Sequence, residues 1–146
     1  MSGGYVSCGG FHGDDKSCSA FRGVLDQIVS LPSYNPDTDL QRFIERLRSF
    51  LSGEGDAEWS DYLLISPQQA IDLEPYLAEC SRSLVADLGT EDPFEAIEKD
   101  KAVPGLDPIE AKWGKGKGWR LYCVTDLLRV IALSRTTGEV ICIAFD

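Results

Sequence analysis

The sequence predicts an α+β fold, with N-terminal and central helices packed on a small, mainly antiparallel C-terminal β-sheet or hairpin. Three observations predict it. Apolar residues recur at helical spacing through the first half of the chain, and strong helix starts stand at residues 35–36 and 66–67. The stretch Trp113 to Asp146 holds the most continuous apolar sequence, rich in β-branched and aromatic residues. Helices come first and strands last, which favours segregated α+β over alternating α/β.

Residues 1–18 contain five glycines, few large apolar side chains and the pair Asp14-Asp15, the composition of a flexible arm. Residues 19–146 are then expected to form one α+β domain. From Ser19 onward, Phe21, Val24, Leu25, Ile28 and Leu31 share one helical face, ended by Pro32 and weakened at Gly23. In the stretch SYNPDTDL, Asn35 is placed to cap and Pro36 to take the first helical position. Asp37 and Asp39 complement the positive end of the helix dipole. Leu40, Phe43, Ile44, Leu47 and Leu51 line this second helix, and Gly53 stops it. The two helices are expected to pair and cover one face of the sheet.

An acidic loop follows from Gly53, and Tyr62–Ile65 reads as a strand or the entry to the next helix. Ser66 with Gln69 three residues on forms a capping box, and the helix to about Leu88 should split or kink at Pro75. Asp92-Pro93 opens a short helix, and Val103-Pro104-Gly105 leads into the C-terminal unit. There Trp119–Val124, Leu127–Ser134 and Glu139–Phe145 read as strands. The last two flank Arg135-Thr136-Thr137-Gly138, with glycine where a hairpin bulge needs positive φ.

Charge is the most informative global quantity, at a formal net of −10. From Glu54 to Asp100 there are 13 acidic residues against Arg82 and Lys99, whereas Lys101 to Arg135 is net +4. Such a field repels nucleic acid and anionic membrane and speeds encounter with a basic partner. No apolar run approaches the length of a transmembrane helix, and the N-terminus has neither a basic nor an apolar signal region. A cytoplasmic location is therefore expected. Five cysteines without paired short spacing fit a reducing compartment, with Cys80, Cys123 and Cys142 as small buried hydrophobes.

Catalytic chemistry finds little support. His12 is the only histidine and sits in the glycine-rich arm, so a Cys8–His12 pair lacks the strand-to-helix turn that presents a nucleophile. Cys8, His12 and Cys18 at C-x3-H-x5-C match no zinc module. Asp37, Asp39, Asp92 and Glu95 are accounted for by helix starts, and residues 53–61 lack the alternating oxygen ligands of a calcium loop. No metal and no cofactor is expected.

Two functional readings remain. In the first, Glu54, Asp56, Glu58 and Asp61 surround Trp59 and Tyr62, aromatic anchors ringed by carboxylates that suit a basic protein partner. This is a non-enzymatic acidic module that sequesters or inhibits that partner. In size, acidity and lack of catalytic motifs the chain is similar to bacterial immunity proteins that neutralise toxin domains, a similarity of type with no motif matched residue by residue. It implies a toxin domain as partner. In the second reading, the alternation Trp113-Gly-Lys115-Gly-Lys117-Gly-Trp119 presents Lys115, Lys117 and Arg120 to an anion, a nucleotide or a nucleic acid. It lacks the P-loop frame. The competing view of this stretch is a flexible loop entering a strand at Trp119, with both tryptophans packed on the sheet.

Overall fold

The computed structural model describes residues 3–52 and 62–145. The architecture is α+β, helices packed against a small antiparallel sheet. In chain order the elements are strands β1 (Gly3–Cys8), β2 (Phe11–His12) and β3 (Lys16–Ser17), then helices α1 (Cys18–Val29) and α2 (Thr38–Ser52). Next come β4 (Tyr62–Ile65), α3 (Pro67–Leu88) and α4 (Pro93–Lys101). The single turn α5 (Pro108–Glu110) runs into a π turn (Ala111–Lys115), and α6 (Lys117–Thr137) and β5 (Ile141–Phe145) close the chain.

Local chemistry explains most helix boundaries. Ser17 caps α1 by accepting from the Ala20 N–H. The Ser66 hydroxyl accepts from the Gln69 N–H at 3.1 Å while the Gln69 side chain accepts from the Ser66 N–H at 2.9 Å, a complete capping box. Asp92 caps α4, as its position before proline implies. The start of α2 lies later than expected. Asp37, rather than Asn35, accepts from the Leu40 N–H at 2.8 Å, so the first helical residue is Thr38. The expected stop at Gly53 lies outside the described residues. Pro75 does not divide α3, which runs unbroken from Pro67 to Leu88. Its side chain and that of Ile71, whose carbonyl loses a donor there, are both exposed, so water can serve that carbonyl.

Two expectations are overturned. Residues 3–17 are not a loose arm. Tyr5 pairs with Ala144, Val6 with Ile143 and Ser7 with Cys142, which places β1 beside β5 in the strand order β2-β1-β5-β4. Alternation explains it: Val6 and Cys8 are buried while Tyr5 and Ser7 face the other way. The glycines at 9 and 10 serve the turn into β2.

The C-terminal unit is also not a three-strand meander. Trp119–Val124 and Leu127–Ser134 lie together in α6, and only the last of the three expected strands forms, as β5. Helix α6 is the core element. It packs against α1, α3, α4 and the π turn, and it, rather than the α1–α2 pair, lies behind β1 and β5. Leu121, Val124, Leu127, Val130 and Ile131 are buried along it. With neighbours on several sides, its apolar residues spread round much of the helix and are interrupted by Arg120, Asp126, Arg129 and Arg135. No single apolar stripe at helical spacing marks it, so its short apolar runs read like buried strands. Gly138 (φ 74°) caps this helix instead of turning a hairpin.

Candidate functional site

The sheet has two unlike faces. Val6, Leu63, Ile65, Ile141 and Ile143 point inward and are buried. On the other face, Tyr5, Ala144 and Tyr62 lie opposite one another across three strands, and Ser7, Cys142 and Leu64 form the next row. His12, opposite Ser7, stacks on Tyr5 with ring centroids 4.0 Å apart. Tyr62 is 57% exposed and Leu64 47% exposed. Strand β4 ends the sheet opposite β2, and among the described residues only β5 pairs with it. Of the partner-binding residues expected from the sequence, Tyr62 falls on this face. Glu54, Asp56, Glu58, Trp59 and Asp61 lie outside the described residues and directly precede it in the chain.

The Lys-Gly stretch is neither a strand entry nor a sheet-packed loop. Trp113 is 55% exposed in the π turn, and Trp119 sits in the first turn of α6, 6.0 Å from the Tyr122 ring. The glycines give clearance. A Cβ on Gly116 would lie 2.2 Å from Asp100 Oδ2, and one on Gly118 2.1 Å from the Ala96 carbonyl. Asp100 on α4 is only 3% exposed, and its carboxylate accepts from the Gly118 N–H (2.9 Å) and the Trp119 N–H (3.0 Å). A carboxylate from a neighbouring helix thus occupies the positive end of α6, which lacks a side-chain cap of its own.

Lys115 and Lys117 line a cavity of about 450 Å³ together with Lys99, Leu88, Val103 and Leu106. Lys115 pairs with Glu110 at 3.3 Å and Lys117 with Asp87 at 3.0 Å. Arg120 does not join them. It is half-buried on α6, with its Nε out of solvent and without a hydrogen-bond partner among the described residues.

A polar cluster that the sequence did not reveal ties the N-terminal segment to α6. Lys16, 1% exposed, bonds the Asp14 carbonyl at 2.9 Å, pairs with Asp126 and lies 3.9 Å from the centre of the Tyr122 ring. The Tyr122 hydroxyl donates to Asp14 Oδ2 at 2.6 Å. Burial, and then this bond to Asp14, push the Tyr122 phenol well above its ordinary range. Beside the cluster, Phe11, His12 and Arg129 help line a cleft of about 250 Å³. A protonated, carboxylate-bonded phenol suits a structural tie rather than a general base. Tyr122 and Asp126 stand four residues apart, a signal readable only once α6 is recognised as a helix.

Cys8, His12 and Cys18 do not converge. Cys8 is buried behind β1, His12 is on the outer face, and Cys18 opens α1. Among the described residues no group of three or more His, Cys, Asp and Glu is placed to hold a metal ion, and no helix is long and apolar enough to cross a membrane. All five cysteines stand as thiols, Cys142 half-buried on the outer face and the other four buried.

Burial pushes the Cys18 and Cys80 thiols up to about 11 from an ordinary value of 9.0. In the unfolded chain these thiols ionise first, so between about pH 9 and 11 the folded state binds more protons. Stability is fully present below that window and should fall as pH rises through it, by about 1.4 kcal/mol per pH unit for each thiol. Urea midpoints measured across the window should show the decline, with a shallower slope in Cys80→Ala. An unchanged slope would remove Cys80 from the account. No protein-family model matches this chain, and neither a curated protein nor a solved structure gives a significant match.

Proposed function

We propose that this chain is a protein-binding module that holds a basic partner against the outer face of its sheet and thereby sequesters or inhibits it. The observation that carries this reading is the exposure of Tyr62 and Leu64 on the edge strand β4, where four acidic residues, Glu54, Asp56, Glu58 and Asp61, immediately precede Tyr62 in the chain. Tyrosine supplies contact area at low entropic cost, and an unpaired strand edge offers backbone donors and acceptors to an incoming segment. The net charge of −10 sets the sign of the partner. A groove of about 550 Å³ between the α1–α2 connection and α3 adds Asp37, Asp72 and Glu79 to the acidic surface. Carboxylates would speed encounter, the aromatic and aliphatic anchors would hold the complex, and the covered surface would lose access to its own substrate. A basic toxin domain is a partner of this kind.

The test compares proteins retained by wild type and by the double variant Tyr62→Ser/Leu64→Ser, at low and high salt. Wild type should retain one basic protein, weakened by salt, and the double variant should lose it by about tenfold or more in affinity. Both side chains are exposed, so the thermal midpoint should not move. Equal retention by the variant, or retention only of nucleic acid, would overturn the proposal.

A further inference from the structure

The geometry points to a second, independent site: the cavity between the end of α3, α4 and the start of α6 is a pocket for a small phosphate monoester with an apolar body. Three lysines line it, Lys99, Lys115 and Lys117, in a chain that is otherwise strongly acidic. The two carboxylates that share the cavity are already engaged. Asp100 spends both oxygens on the amides of Gly118 and Trp119, and Asp87 faces Lys117. The Lys99 ammonium makes no hydrogen bond or ion pair among the described residues, and Lys115 and Lys117 are half or more exposed in pairs that an anion can compete for.

The rest of the lining is largely apolar. Leu88 and Leu106 are half-buried and Val103 is 46% exposed. At about 450 Å³ the space falls within the range of small-molecule sites. A dianionic head suits several convergent lysines better than a single carboxylate would, because lysine acts on phosphate as a point charge. The apolar wall requires more than inorganic phosphate, since an ion alone would leave Leu88, Val103 and Leu106 in water. Arg120 has no part in it, and nucleic acid is disfavoured because the cavity is bounded and the surrounding chain is acidic.

Titration of the whole protein with hexyl phosphate, followed by NMR of the lysine side chains, tests this directly. Saturable binding is expected, with shifts at Lys99, Lys115 and Lys117. Inorganic phosphate should bind about tenfold more weakly and hexanol more weakly still. Lys99→Ala should weaken hexyl phosphate binding by about tenfold without moving the thermal midpoint. Lys101→Ala, an exposed lysine outside the cavity, should leave it unchanged. Three results would overturn the assignment: no saturation at millimolar ligand, equal affinity for hexyl and inorganic phosphate, or equal losses in Lys99→Ala and Lys101→Ala. None of these bears on the sheet face, whose test uses different residues and a different ligand.

Discussion

Gly118→Ala is expected to destabilise the protein by about 3–5 kcal/mol, a large part of the stability of an ordinary domain. The sign is the informative part. Inside a helix, glycine to alanine ordinarily gains up to about 1 kcal/mol, because glycine loses more backbone freedom on folding. Here the added Cβ would stand 2.1 Å from the Ala96 carbonyl and 2.9 Å from Asp100 Oδ2, so α4 and α6 must separate. Separation then costs Asp100 its two amide donors and leaves a carboxylate, 3% exposed in the native fold, without them. Chemical denaturation of Gly118→Ala, Asp100→Ala and the double variant checks the account. The two losses should be strongly non-additive, because each change removes the same contact. A neutral or stabilising Gly118→Ala would show that α4 and α6 do not approach as closely as described.

That glycine also shows where sequence reading succeeds and where it stops. Signals that act within four residues were legible: the Ser66–Gln69 box, Asp92 before Pro93, and the apolar spacing of α1 and α2 each turned into the expected element. Alternating glycine between residues 114 and 118 suggests, from sequence, either an anion-binding loop or a flexible loop entering a strand at Trp119. The causes are neighbouring helices: α4 and the Asp100 carboxylate fill the space beside Gly116 and Gly118, while Gly114, at φ 108°, lies against Ser19 and Ala20 of α1. Helix α6 is hard to read because its apolar residues spread round the helix without forming one stripe. Yet Trp119 to Thr137 contains neither glycine nor proline, a length better suited to a helix than to strands and turns. Strand β1 was missed for a different reason. Its partner β5 lies at the opposite end of the chain, and a short glycine-containing segment gains its order only from that pairing. The candidate sites divide in the same way. Tyr62 is visible as an aromatic near carboxylates, with Leu64 on the same face of an expected strand, but Tyr5 on the sheet face, and Lys99 at the cavity of Lys115, join them only through the fold.

Lys16→Met carries the second large effect, an expected loss of about 3–5 kcal/mol. Methionine keeps much of the apolar stem that lysine buries, so the change isolates the charge. The Asp126 side chain, 13% exposed, then loses its cation, the Asp14 carbonyl loses a donor, and the Tyr122 ring loses the ammonium 3.9 Å from its centre. Removing one member of a buried pair is far more costly than removing both, because the survivor stays desolvated without a counter-charge. Lys16→Met/Asp126→Leu should therefore recover most of the stability lost by Lys16→Met alone, as read by urea midpoints at neutral pH. Similar losses in the single and double variants would mean that the segment from Gly13 to Lys16 is held by the packing of the lysine stem and not by its charge. The outcome also bears on the outer face of the sheet. His12 reaches Tyr5 only while the turn after β1 is held, and Gly13, next to His12, donates its N–H to the Val6 carbonyl at 2.9 Å. An N-terminal segment released from α6 would loosen that turn. Lys16→Met should then weaken partner retention more than its exposed neighbour Asp15→Ala does, although neither residue lies on the binding face.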